Sequence, residues 1–202
     1  GTLRTGLRSA SNGIVSVEVA ADGSARLTHE ASGRVYDDLF QYEDRGDSGD
    51  GWSWGELVSD QSYVTPGSRV STAIEEDGPL RTVFRIEREF VLPAAIRTGA
   101  SEDPRQDLHR SDQRTTLHVT DYLYVERDTP FVRIRTTVNN TVKDHRFRVL
   151  FPTGIASDRS FAETPFAVVE RDVFPPPGSE QWHERVNPEK AFTRFFGIQD
   201  DQ

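Results

Sequence analysis

Arg81 to Val91, RTVFRIEREFV, decides the fold: Phe84, Ile86 and Phe90 fall on one side of an extended chain, with Arg85, Glu87 and Glu89 on the other. Successive side chains of a strand point to opposite faces, so this alternation describes an antiparallel strand with one packed face and one wet face. Downstream, Thr115 to Glu126 (TTLHVTDYLYVE) gathers Leu117, Val119, Leu123 and Val125 on one side. Phe131 to Val138 (FVRIRTTV) and Arg146 to Phe151 (RFRVLF) repeat the pattern. Upstream, Ile14, Val15, Val17 and Val19 lead into Ala21-Asp22-Gly23-Ser24, whose Asp-Gly pair predicts a hairpin with residues 25–28 as the returning strand. Ser32-Gly33 predicts a further turn before Val35-Tyr36. No stretch of twelve or more residues carries a 3.6-residue apolar period. The chain reads as all-β, an antiparallel β-sandwich.

Two segments read as connections. Pro93 to Gln113, with its Gly, Ser, Pro and scattered charges, predicts a surface loop, and Pro175-Pro176-Pro177-Gly178 a stiff polyproline-like connector. Phe192 to Ile198 reads as a strand that stops before a turn at Gln199-Asp200-Asp201. Residues 1–11 read as a junction or interdomain linker, and 12–202 as one β-sandwich domain truncated at its C-terminus. With no methionine anywhere, Gly1 included, the chain reads as an excised domain.

Composition narrows the class. A net charge of -9, from 33 acidic against 24 basic residues, disfavours nucleic acid, whose phosphates call for a concentrated basic surface. No apolar run approaches the roughly 20 residues needed to cross a bilayer, and no basic-then-apolar leader opens the chain. The absence of cysteine removes any disulfide framework, thiolate metal site or cysteine nucleophile, and points to a reducing, cytoplasmic compartment. At 202 residues, about 70% of the unfolded surface can be buried, so no covalent staple is required.

The densest candidate for chemistry is Glu43 to Gly55, EDRGDSGDGWSWG. Asp44, Asp47 and Asp50 recur every third residue, glycines stand at 46, 49, 51 and 55, and two tryptophans follow. Glycine permits tight turns that can bring spaced carboxylates together. Carboxylates accept from sugar hydroxyls and an indole covers the C–H face, so Asp47, Asp50, Trp52 and Trp54 are the candidate substrate-binding residues. A competing reading is an Asp/Gly-rich turn whose carboxylates cap their own backbone. The spacing does not match an EF-hand calcium loop. The five histidines lack any HExxH or short His-x-His spacing, so no metal ligand is assigned. There is no P-loop, and nothing singles out an acid pair for glycosidic cleavage, so no catalytic residue is assigned either.

Several segments together resemble a known family. Asp44-Arg45-Gly46-Asp47-Ser48-Gly49-Asp50 resembles the acidic glycine motif in the C-terminal β-region of glycoside hydrolase family 38 α-mannosidases. Val138 to Gly154 (VNNTVKDHRFRVLFPTG) is similar to that family's N-x-x-x-D-H-R-L-R-V-x-F-P-T segment, and Phe166 to Arg171 follows it in a similar way. The opening, Asn12 to Tyr36, looks like the family's first hairpin. The resemblance implies a super-sandwich of galactose-mutarotase-like type, belonging to a retaining exo-α-mannosidase that hydrolyses terminal α-mannosides. It implies that the catalytic zinc and the aspartate nucleophile lie in an N-terminal α/β domain, with no cofactor in this chain. The β-domain is then non-catalytic, with its own catalytic and helical domains and a mannose-containing carbohydrate as partners. It packs on the catalytic domain and lends Asp47, Asp50, Trp52 and Trp54 to the sugar pocket. Asp144, His145 and Arg146 read as a strand-initiating turn that pairs internally, and Phe151-Pro152-Thr153 as a strand end. An independent carbohydrate-binding module is the alternative. A mutarotase-like epimerase would need a histidine facing a carboxylate across a groove, which the scattered histidines do not suggest.

Overall fold

A computed structural model describes residues 1–50, 52, 54–57, 60–65, 69–100, 107–182, 186 and 190–199. Gly51 and Ser53 of the Asp/Gly stretch, residues 101–106 of the Pro93–Gln113 segment, His183 and the Asp200-Asp201 turn lie outside the described residues. The chain forms two compact units, Gly1–Thr153 and Gly154–Gln202.

The larger unit runs through β1 (Ser9–Ser11), β2 (Val15–Val19), β3 (Ala25–His29), β4 (Arg34–Leu39), β5 (Gln41–Gly46), β6 (Tyr63–Val64), β7 (Arg69–Asp77), β8 (Arg81–Pro93), β9 (Ile96–Thr98), β10 (Leu108–Arg110), β11 (Arg114–Glu126), β12 (Arg133–Asn139) and β13 (His145–Leu150). Every pairing is antiparallel. The backbone of the unit is the β8–β11 ladder, which pairs Arg81 with Glu126 through to Pro93 with Arg114 without a break. It lies inside a sheet of order β12-β11-β8-β7, beside sheets β1-β2-β3-β4 and β13-β5-β6 and the short hairpin β9-β10. In β8 and β11 the faces read from the sequence are the faces that pack. Phe84, Ile86, Phe90 and Leu92 of β8 and Leu117, Val119, Leu123 and Val125 of β11 are buried. They join Val17, Val19 and Ala25 of the first sheet, Phe40 just before β5 and Tyr42 within it in one core, the two-layer solution that half-apolar sheets require. Each such side chain contributes about 1.5–3 kcal/mol on burial.

The predicted hairpin forms at Asp22-Gly23, where Gly23 takes φ +84, a left-handed value that costs glycine nothing. Asp22 fixes the turn by accepting from the Ser24 N–H (3.0 Å) and hydroxyl (2.7 Å). Gly23 also lies under Arg88, the one charged side chain of the β8 core face. Arg88 pairs with Asp121 of β11 and donates from Nη2 to the Gly23 carbonyl at 2.6 Å, and both partners are 0% exposed. Asp121 also accepts from the Tyr42 hydroxyl (2.8 Å) and the Thr136 hydroxyl (2.6 Å). Burial pushes the Asp121 carboxyl up and the Arg88 guanidinium down, and their attraction opposes both shifts. Burial likewise raises the Tyr42 hydroxyl, reinforced by the neighbouring Asp121 charge.

The smaller unit holds β14 (Arg159–Thr164), β15 (Ala167–Asp172) and β16 (Phe196–Ile198) in the order β15-β14-β16, with a 3-10 turn at Ser179–Gln181 after the proline run.

Three segment boundaries differ from the sequence reading. Ser9–Ser11 pairs with β2 as an edge strand, so part of the segment read as a linker belongs to the first sheet. Ile96–Thr98 and Leu108–Arg110 pair inside the segment read as loop; three residues apiece are too few for alternation to register. In Phe192 to Ile198 only Phe196–Ile198 is regular. Glu163 accepts from the Thr193 N–H and donates to the Phe195 carbonyl, two bonds that bulge the chain at Arg194.

Candidate functional site

The Asp/Gly stretch divides into a strand and a loop. Glu43 to Gly46 belong to β5, and the alternation that buries Tyr42 also turns Asp44 inward. Asp44 pairs with Arg110 of β10 through Oδ1 and with the His145 ring Nδ1 through Oδ2. The other ring nitrogen of His145 faces the Asn140 side-chain oxygen at 3.1 Å, which itself accepts from the Val142 N–H at 3.0 Å. Asp60 closes the group: its Oδ2 accepts from the Gly46 N–H at 3.0 Å, and its Oδ1 lies 4.0 Å from Arg110 Nη1. The side chains of Asp44 and His145 are 1% and 4% exposed, in direct contact. They form an internal clamp rather than an acid and base separated by room for a substrate. Asp44 therefore does not converge with Asp47 and Asp50.

Beyond Gly46 the chain leaves the sheet as a closed loop. The Ser48 N–H donates to the Gly55 carbonyl at 2.9 Å, joining its two legs. Asp47 Oδ1 accepts from Gly49 N–H (2.9 Å) and Gly55 N–H (3.0 Å), and Asp50 Oδ1 accepts from Trp52 N–H (2.8 Å). Both carboxylates thus brace their own backbone, as the capping reading describes. Gly55 is required for this closure, because a Cβ there would lie 2.5 Å from the Gly49 nitrogen. Leu57, buried on the return leg, packs against Gly46 where the loop departs.

The two tryptophans take different positions. Trp52 is 95% exposed at the loop. Trp54 is half-buried: its Nε1–H donates to the Gly46 carbonyl at 3.3 Å, and the guanidinium of Arg146 lies 3.8 Å from the ring centroid, with that of Arg45 at 5.4 Å. The structure thus brings Asp47, Asp50, Trp52 and Trp54 into one loop, on a base built from Asp44, Asp60, Arg110, His145 and Arg146. Asp60 and Arg110 carried no signal in the sequence, since nothing local marks an isolated acid or arginine as the partner of a distant one. His118, by contrast, is an exposed strand residue near Glu89. Among the described residues no group of three or more His, Asp or Glu side chains could hold a metal ion. No helix among the described residues is long and apolar enough to cross a membrane.

With this geometry in place, comparison with known proteins gives a consistent result. The model of the glycosyl hydrolases family 38 C-terminal domain matches residues 10–202. The "Putative mannosylglycerate hydrolase" of Halalkalibacterium halodurans is 28% identical over 173 residues, which cover 82% of this chain and 19% of that protein. Among solved structures, an alpha-mannosidase from Enterococcus faecalis V583 superposes with a TM-score of 0.87 at 23% identity, over 99% of this chain and 23% of that one. A glycosyl hydrolase family 38 protein from Enterococcus faecalis gives a TM-score of 0.79 at 24% identity, over 85% of this chain and 22% of that one. The chain thus spans about a fifth of the length of these relatives. With the family model covering nearly its whole length, this all-β chain belongs to the glycosyl hydrolase family 38 C-terminal domains.

Proposed function

We propose that this domain is the non-catalytic β-wall of a cytoplasmic glycosidase that hydrolyses terminal α-mannosides. It packs against a catalytic and a helical domain of the same protein and lends Asp47, Asp50, Trp52 and Trp54 to the sugar pocket. The zinc and the nucleophile belong to the catalytic domain, and the part played by this chain is binding and orientation. An indole face covers the C–H side of a pyranose while braced carboxylates accept from its hydroxyls. The observation that carries the reading is the loop at 47–55. Trp52 stands 95% exposed, its N–H held by Asp50, on a loop whose legs Asp47 joins and whose root is anchored to a buried ion pair. An indole so exposed contributes little to folding, which favours a role in contact with something else. The names of the relatives, an alpha-mannosidase and a mannosylglycerate hydrolase, favour mannosides as that partner.

The test is hydrolysis of an aryl α-mannoside by the intact glycosidase, by its Trp52→Ala variant and by the isolated domain. The expected result is no turnover by the domain alone and a loss of about tenfold or more in kcat/KM for Trp52→Ala, the size of one good stacking contact. Turnover by the isolated domain at the rate of the intact enzyme, or an unchanged kcat/KM in the variant, overturns the proposal. The exposure of Trp52 also favours a second reading, an independent carbohydrate-binding module. Binding of mannose or short mannans by the isolated domain at millimolar or tighter affinity, abolished by Trp52→Ala, selects that reading.

A further inference from the structure

Asp144, His145 and Arg146 have no part in the sugar contact proposed above, yet each holds a different part of the loop that makes it. Asp144 takes φ 52, and its carbonyl accepts from the Asp47 N–H at 2.9 Å. That bond carries the β5–β13 ladder one step past the last regular pair, Gly46 opposite His145. The Asp144 carboxylate accepts from the Ile96 N–H at 3.3 Å, fixing the turn against β9. His145 pairs with Asp44, which also receives Arg110, so the strand that launches the loop is locked from beneath. Arg146 covers the Trp54 ring at 3.8 Å, and Trp54 in turn donates to the Gly46 carbonyl. Three consecutive residues therefore grip the loop at its exit, beneath its root and on its return leg.

We infer that Asp144-His145-Arg146 is a positioning motif, which sets the direction in which residues 47–55 present Asp47, Asp50 and Trp52 to substrate. The inference rests on the reading of that loop as sugar-contacting. The three residues need not touch the sugar. Alternation in β13 separates their tasks, sending His145 toward Asp44 while Arg146 extends over the loop. A displacement of about 1 Å in a contacting group is enough to degrade binding and catalysis strongly, so a motif that removes this freedom acts on function without contact.

The experiment uses the intact glycosidase and compares Arg146→Ala, Arg146→Lys and Trp52→Ala in steady-state hydrolysis of an aryl α-mannoside, with hydrogen exchange of residues 47–57 as a second readout. Arg146→Ala is expected to raise KM about 5- to 10-fold with kcat within about twofold, the pattern of lost uniform binding, and to speed exchange in the loop while β8 and β11 are unchanged. Arg146→Lys keeps a cation over Trp54 and recovers part of both effects. Unaltered exchange in Arg146→Ala overturns the inference. So does faster exchange with an unaltered KM where Trp52→Ala does raise KM, because the loop then works wherever it points. If Trp52→Ala leaves kcat/KM unaltered, the sugar-contact reading fails instead, and exchange alone decides whether the motif holds the loop.

Discussion

Removing the carboxylate of Asp121 is the sharpest perturbation of this fold. In the native chain Asp121 and Arg88 are both 0% exposed, and the carboxylate receives Arg88, the Tyr42 hydroxyl and the Thr136 hydroxyl. Asp121→Ala leaves the Arg88 guanidinium buried with the Gly23 carbonyl, the Phe40 and Tyr42 rings and the more weakly felt charge of Asp22 around it. Removing one member of a buried pair costs about 3–5 kcal/mol. The two stranded hydroxyls lie 3.5 Å apart and can meet each other, which limits their added cost to about 1 kcal/mol. A total of roughly 4–6 kcal/mol is a large part of the ~5–15 kcal/mol that a folded domain has. The double variant Arg88→Met/Asp121→Leu removes both charges and fills the space with apolar atoms, so it is expected within about 2 kcal/mol of wild type. Urea unfolding followed by tryptophan fluorescence reads both, and with a slope of about 2–3 kcal/mol per molar the single variant shifts its midpoint by roughly 1.3–3 M. A double variant as unstable as the single one refutes this reasoning, because the cost would then belong to lost hydrogen bonding and not to an uncompensated charge.

Other consequences follow from the same contacts. Burial pulls the Asp22 carboxyl up, but the bonds from the Ser24 hydroxyl and N–H outweigh it and hold its pKa below 3.8. Stability from this group is therefore present above 3.8 and lost as pH falls through the lowered folded value. The pH-dependent part of the difference between wild type and Ser24→Ala should vanish in acid, and a difference that grows on acidification contradicts the assignment. Gly55→Ala places a Cβ 2.5 Å from the Gly49 nitrogen, so it should open the loop at a cost of about 1–3 kcal/mol, seen as faster exchange at residues 47–57. Phe84→Ala, at a fully buried site on β8, should cost about 3–5 kcal/mol in the same urea assay. Leu7→Ala, at an exposed site, should stay within about 0.5 kcal/mol of wild type.

Much of the architecture was written locally. Alternation in Arg81 to Val91 and Thr115 to Glu126 named the buried faces of β8 and β11, because a strand exposes opposite faces at successive residues whatever its partner. Asp22-Gly23 marked its own hairpin for a similar reason, since the positive φ of the turn is a property of one residue. The Asp47, Asp50 and Trp52 loop was visible as a dense run of acids, glycines and indoles. Tertiary structure decided what these residues do to one another. Asp44 looked equivalent to Asp47 and Asp50 in a repeat of three, yet the inward face of β5 carried it to His145, 101 positions away, and to Arg110. Arg88 and Asp121 each interrupted an apolar face with a charge, and only the register of β8 against β11 made them partners. Local periodicity fixes which way a side chain points; which side chain it meets depends on strand pairings between distant segments, and no window of sequence contains those.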